Sequence, residues 1–441
     1  MRRSAFLQAV FVLWTGTTVL HAQQTIHVPA DQPTIQAGID AAQDGDTVVV
    51  APGTYRENIN FRGKGITVTS GATTSAGAAG TIIEAPAPEA TVTIYAADHN
   101  LYAKAAVLNG FTVTHRPNIP TTDASTGNGI ATYANAALTI TNNRILENPG
   151  CGLISHDDDF VLFQGNTVTS STVGSCGQAP YYIFKVAGPV AIESGPTRVL
   201  DNRIVNNHSA NTSPGISILA ANSVLLQNNV VAGNTGPGSP VSIDHVFDVN
   251  LVQNLVYGNS SSLPNQPAVS ITSPFLPSLV MTNNTIVSDV NSASALFLSS
   301  DITSQTISNN IFVGQSAGSA PGYIAGQAVD CYYIDQKFGS PQNVPPPGAS
   351  FSHNDVFQGS TAQTYTCAQP GNTVGNLSVD PEFLNLAGGD LHTVRTSPVV
   401  AAGDVGAPQI PALDLDGLPR TSGGVMGGRS IWGCTRCSPC R

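Results

Sequence analysis

An asparagine recurs through the middle of the chain with an apolar residue three positions before it and another two positions after it. The asparagines are Asn143, Asn166, Asn202, Asn229, Asn254, Asn284, Asn310 and Asn354. Before them stand Ile140, Phe163, Val199, Leu226, Leu251, Met281, Ile307 and Phe351, and after them Ile145, Val168, Ile204, Val231, Val256, Ile286, Phe312 and Val356. The asparagines are spaced by 23, 36, 27, 25, 30, 26 and 44 residues, so one unit of roughly 25 residues repeats with insertions. That period is too long for a hairpin and suits one coil of a parallel β-helix, in which a coil buries its apolar side only by stacking on its neighbours about 4.8 Å away. The expected fold is therefore all-β, a single-stranded right-handed parallel β-helix. The asparagine column is expected at a sharp corner, where Asn tolerates a left-handed backbone and stacked amides bond along the axis. A sugar-binding role for these side chains is the alternative.

Composition agrees with short strands and turns, since only 10% of residues are charged. Arg2 and Arg3, an apolar run from Ala5 to Leu20 and then His21-Ala22-Gln23 follow the order of a secretory signal, with cleavage expected after Ala22. Cleavage there moves the formal charge from −11 to −13, because it removes two arginines and no acid. Such a charge disfavours nucleic acid as a partner. No later segment is long and apolar enough to span a membrane, so a soluble protein is expected, secreted, periplasmic or at the cell surface. Seven cysteines fit an oxidising compartment, with Cys151 and Cys176, and Cys331 and Cys367, as candidate pairs flanking inserted loops. Cys434, Cys437 and Cys440 read as part of a tail rather than a metal site, since no His or second Cys pair accompanies them.

The first segment has a different pattern. Ile35, Ile39 and Ala42 share one helical face between a strand at Ile26 to Val28 and a strand at Thr47 to Val50. A solenoid's first coil exposes an apolar end, and this helix is expected to cap it. The motifs Ile26-His27-Val28-Pro29, Thr34-Ile35-Gln36-Ala37, Asp44-Gly45-Asp46-Thr47-Val48 and Pro52-Gly53-Thr54-Tyr55 resemble the opening of secreted bacterial right-handed β-helix repeat proteins of the pectin lyase-like superfamily. Val379-Asp380-Pro381-Glu382-Phe383, Gly389-Asp390-Leu391-His392 and Asp414-Leu415-Asp416-Gly417 resemble their closing segment. The family's usual final strand, of the Asp-Ile-Gly-Ala-Tyr-Glu kind, is replaced here by Val425-Met426-Gly427-Gly428-Arg429. The expected organisation is a signal peptide over 1–22, a cap and first coil over 23–60, the β-helix over 61–375, a closing segment over 376–433 and a Cys-containing tail over 434–441. The resemblance implies architecture, because the superfamily hosts lyases, hydrolases, epimerases, adhesins and proteins without known activity.

Aligned on the ladder asparagines, successive coils carry Asp157, Glu193, Ala220 and His245 nine residues earlier, and His156, Ile192, Leu219 and Asp244 ten residues earlier. Asp157 and Glu193 are thus expected one coil apart, with Asp158 and Asp159 beside them and an insertion carrying Tyr181, Tyr182 and Lys185 between. Asp157, Asp158 and Asp159 are candidate Ca²⁺ ligands. Asp157, Glu193, Lys185 and His156 are candidate catalytic groups, either for β-elimination from an acidic sugar or for hydrolysis by paired carboxyls. Tyr181 and Tyr182 are candidates for stacking on sugar rings. Ser242-Ile243-Asp244-His245 resembles the Trp-Ile-Asp-His stretch of pectate lyases over three residues, with the Trp replaced, and makes Asp244 and His245 candidate substrate contacts. A solvated acidic turn and a surface Asp-His pair are the structural alternatives. Asp44, Asp46, Asp414 and Asp416 sit beside glycines and read as turn formers. The expected partner is extracellular polysaccharide, bound or processed, against the alternative of a non-catalytic surface or matrix protein; oligomeric state is left open.

Overall fold

The computed structural model describes residues 22–95, 104–117, 126–133, 137–173, 189–264, 266–289, 294–315, 328–335, 340–342, 345, 348–358, 367–368 and 371–420. The chain winds into a right-handed parallel β-helix. In the central coils each turn contributes one strand to each of three faces. One coil shows the plan: Val190–Glu193 lies on the first face, Thr197–Leu200 on the second and Arg203–Val205 on the third. Each strand pairs in parallel with its counterparts in the coils before and after, as Val190–Glu193 does with Leu153–His156 and Ile216–Leu219. The long strands Val269–Thr282 and Leu296–Ser308 run from the first face into the second without a break, so these two faces merge into one sheet of 21 described strands.

Stacking like on like produces the core. On the second face Ile140, Phe163, Val199, Leu226 and Leu251 fall in register, and on the third Ile145, Val168, Ile204, Val231 and Val256 do so. All sixteen apolar residues that flank the ladder asparagines are at most 2% exposed. At roughly 25 cal/mol per Å² of apolar surface, these continuous inner columns are the main stabilising term.

Asparagine fills the corner between the second and third faces. The backbone N–H of each ladder asparagine from Asn143 to Asn310 donates to the side-chain oxygen of the next at 2.9–3.1 Å. Asn376 extends the row by one coil. The left-handed conformation is not at these residues, as the sequence suggested, but one position earlier, at Asn142, Asp201, Asn228, Gln253, Asn283, Asn309 and His353, with φ of 53–60°. The chain turns at this left-handed residue, which lets the following asparagine point inward. A second ladder, five residues further on, joins Ser171, Asn207, Asn234 and Asn259 through the same kind of bond at 3.0–3.1 Å.

At the N-terminal end the helix Ile35–Ala41 buries Ile35 and Ile39, with Ala42 just beyond it, against the first coils. Its first N–H groups are taken by Thr34 Oγ1 and the Glu57 carboxylate, and Lys64 Nζ donates to the carbonyls of Ile39, Asp40 and Ala42. At the other end, residues 383–420 turn back over the coils. Leu391 and Val399 pack on Val287, Ile311 and Val313, Asp404 exchanges two hydrogen bonds with Asn309, and Arg420 donates twice to Gln253 Oε1. A disulfide joins Cys331 and Cys367, as the sequence suggested. Cys151 is also in a disulfide, while Cys176, Cys434, Cys437 and Cys440 lie outside the described residues, as do residues 1–21 of the expected signal peptide 1–22. Among the described residues no helix is long and apolar enough to cross a membrane.

Candidate functional site

The last residue of each first-face strand points outward, and in register these residues read Tyr95, Tyr133, His156, Glu193, Leu219 and Asp244. Coil spacing of about 4.8 Å brings neighbours into contact. The rings of Tyr95 and Tyr133 meet edge to face with centroids 5.7 Å apart, and that of Tyr133 lies 5.2 Å from the His156 ring. His156 Nδ1 is 3.2 Å from Glu193 Oε2. Exposure grades along the column: Tyr95 is 38% exposed, Tyr133 is half-buried, and His156 and Glu193 are 4% and 9% exposed. Burial raises the Tyr133 phenol above its usual pKa, and the negative charges of Asp157, Tyr95 and Glu193 add to the effect. Tyr133 is accordingly a proton donor rather than a phenolate at neutral pH.

Glu193 pairs with His156, not with Asp157 as the alignment on Asn202 suggests. The reason is a corner of three residues, Ser194-Gly195-Pro196, where its neighbours have four. The short corner presses on the preceding coil: a Cβ on Gly195 would stand 2.3 Å from the Asp159 carbonyl oxygen, so only glycine fits. One missing residue changes the chemistry from two carboxylates side by side to a carboxylate and an imidazole.

The three consecutive aspartates diverge. Asp157 occupies the corner itself with φ of 54° and is exposed, Asp159 is exposed, and Asp158 turns inward, 1% exposed, to accept hydrogen bonds from Thr132 and Ser155. Among the described residues no group of three or more His, Cys, Asp or Glu could hold a metal ion, so Asp157, Asp158 and Asp159 do not fit a Ca²⁺ site. Asp244 and His245 form a surface pair at 2.8 Å, two coils beyond Glu193, with side chains 36% and 39% exposed. Tyr181, Tyr182 and Lys185 lie outside the described residues.

Sequence reasoning passed over Tyr133 and Tyr95. Tyr133 stands ten residues before Asn143, the same offset that selects His156 and Asp244, so the signal was present one coil earlier. Tyr95 carries no such signal, because its coil has no ladder asparagine at that offset.

These features define a right-handed parallel β-helix with a polar and aromatic column on one outer face. Residues 128–320 match the family model of the right-handed β-helix region. No curated protein matches the chain. Similar solved structures include the pectate lyase Pel9A, at 11% identity over 94% of this chain and 97% of that one with a TM-score of 0.41. Another is the A-module of the mannuronan C-5 epimerase AlgE6 of Azotobacter vinelandii, at 14% identity over 79% of this chain and 94% of that one with a TM-score of 0.29.

Proposed function

We propose that the first face binds an extended extracellular polysaccharide and removes a proton from it, in the manner of a polysaccharide lyase. The observation that carries this reading is the contact of His156 Nδ1 with the Glu193 carboxylate. A carboxylate only accepts, so Nδ1 holds the proton and Nε2 offers its lone pair as a general base. With a uronate in place, His156 Nε2 takes the proton beside the sugar carboxylate. The C–H electrons form the new C=C bond as the glycosidic C–O bond breaks, and the departing oxygen takes the Tyr133 proton. Proton return from His156 to Tyr133 through solvent restores the site. Tyr95, the more exposed ring, supplies a stacking surface. The Cys331–Cys367 disulfide, the disulfide-bonded Cys151 and the signal-like first segment motivate an extracellular place of action.

Asp157, Asp159, Glu193 and Asp244 give this face a negative charge, so a uronate chain approaches against repulsion that salt screens over about 8–10 Å. The expected outcome is ultraviolet absorbance of an unsaturated uronate product, released faster as salt or Ca²⁺ is raised, and lowered at least a hundredfold in His156→Gln and Glu193→Gln. The burial of His156 and Glu193 favours a second reading, in which the pair is structural and the tyrosines hold glycan without cutting it. Binding of polymer without product, weakened by Tyr133→Ala, selects that reading, and absence of both binding and product removes the two together.

A further inference from the structure

One residue before the outward column, the first-face side chains point into the core. Ile94 opens this row and Ile192, Ile218 and Ile243 continue it, but between them stand Thr132 and Ser155, both 0% exposed. The two hydroxyls interrupt an aliphatic row in the two coils that carry Tyr133 and His156. Ser155 closes a hydrogen-bonded ring with Ser194 and the buried Asp158, and Thr132 adds a further bond to that carboxylate. Thr132 and Ser155 both donate to Asp158 Oδ2 at 2.6 Å, Ser155 Oγ lies 2.8 Å from Ser194 Oγ, and the Asp158 N–H donates to Ser194 Oγ at 3.4 Å. Because the single hydroxyl proton of Ser155 goes to Asp158, Ser194 donates to Ser155. Each hydroxyl is bonded in sequence to one member of the candidate site: Thr132 to Tyr133, Ser155 to His156, Ser194 to Glu193.

A core that admits a carboxylate and three hydroxyls gives up apolar packing, and such departures from local rules concentrate where function demands them. The ring sits at the short corner, where Asp158 and Ser194 join the strand end at Glu193 to the preceding coil beside the backbone bonds from Asp157 N–H to the Glu193 carbonyl and from Gly195 N–H to the Asp158 carbonyl. We infer that Asp158 is a positioning residue, fixing the ends of three successive strands so that Tyr133, His156 and Glu193 keep their mutual contacts. Its bearing on catalysis rests on the lyase reading, whereas its effect on the His156–Glu193 pair does not.

Heteronuclear NMR of the imidazole nitrogens in protein labelled at histidine tests this directly. In the unmodified protein His156 holds its proton on Nδ1. Asp158→Asn and Ser155→Ala lose that fixed tautomer to an averaged signal while the β-sheet circular dichroism is kept, and Ser155→Thr, which restores a hydroxyl, recovers it. A wild-type imidazole pattern in folded Ser155→Ala overturns the inference, and should Asp158→Asn fail to fold, the Ser155 variants alone decide. Where the protein is active, Ser155→Ala lowers kcat roughly tenfold to a hundredfold with KM unchanged. A wild-type protein inactive on every polymer removes the lyase reading and leaves the NMR outcome to stand on its own.

Discussion

Asn229 shows how a single side chain can hold a corner. Its oxygen accepts the backbone and side-chain N–H groups of Asn202 at 3.1 and 3.0 Å, and its amide donates to the Val199 carbonyl at 2.7 Å and to Asn254 at 2.9 Å. Leucine has the same shape and none of these bonds. Asn229→Leu therefore leaves buried donors on Asn202 and an acceptor on Val199 without partners, at about 1–3 kcal/mol each. We expect a loss of about 3 kcal/mol or more in urea unfolding, while Asn228→Gly, at the half-buried left-handed position before it, changes stability by less than about 1 kcal/mol. The ladder was legible in the sequence because burial imposes the same residue at the same offset in every coil. Which of two adjacent asparagines takes the left-handed conformation was not, since Asn142-Asn143, Asn228-Asn229 and Asn283-Asn284 offer identical side chains for the two roles. The partner of Glu193 was hidden for a related reason: one residue removed from a corner moves a strand end by one position, and spacing measured across that corner cannot reveal it.

Among elements, the helix Ile35–Ala41 is the one whose role follows from position. Strand Thr25–Val28 pairs in parallel with Thr47–Val50 and begins the stack, so the apolar end of the first coil needs a cover. Ile35, Ile39 and Ala42 supply apolar surface there, and the sequence displayed them through their helical spacing. We propose that the helix is the cap, and the test is local because coils of a solenoid open separately. Ile39→Ser should raise amide exchange at Val48 and Val50 by the equivalent of about 2–5 kcal/mol and leave exchange at Ile204 and Val231 unchanged. The closing segment was legible as turns but not in its path. Its anchors, Asp404 on Asn309 and Arg420 on Gln253, join residues 95 and 167 positions apart, a distance at which no local pattern survives.

Across the whole molecule, three groups far from the candidate site set one direction of pH dependence. Burial raises Asp330 and Asp355 to about 7, and neither oxygen of Asp330 has a hydrogen-bond partner. Asp355 keeps one bond, from the Val379 N–H to Oδ1, and leaves Oδ2 unpaired beneath the closing segment, with the charge of Asp380 opposing its ionisation. His392 bridges Asp390 and Asp416; burial alone would lower its pKa, and the two carboxylates together outweigh that and raise it. Each of the three binds its proton more tightly in the folded chain than in the unfolded one. Their stabilisation is complete below the unfolded pKa, near 4 for the aspartates and 6.5 for the histidine, and is lost as pH climbs through the folded values. The opposite sign belongs to Asp44 and Asp390: burial alone would raise them, but the hydrogen bonds and charges of Lys104 and His392, with backbone N–H bonds, hold them below the usual carboxylate range, so they cost stability only in stronger acid. The chain should therefore resist urea best near pH 4 and weaken between about pH 4 and 7, by several kcal/mol at most. Because Asp355 lies under the closing segment, exchange at Val356 and Leu377 should follow that slope, and Asp355→Asn, which has no proton to lose, should flatten it there while the slope at Asp330 persists. An Asp355→Asn protein whose exchange at Val356 still quickens with pH as in wild type would place the source of the dependence elsewhere.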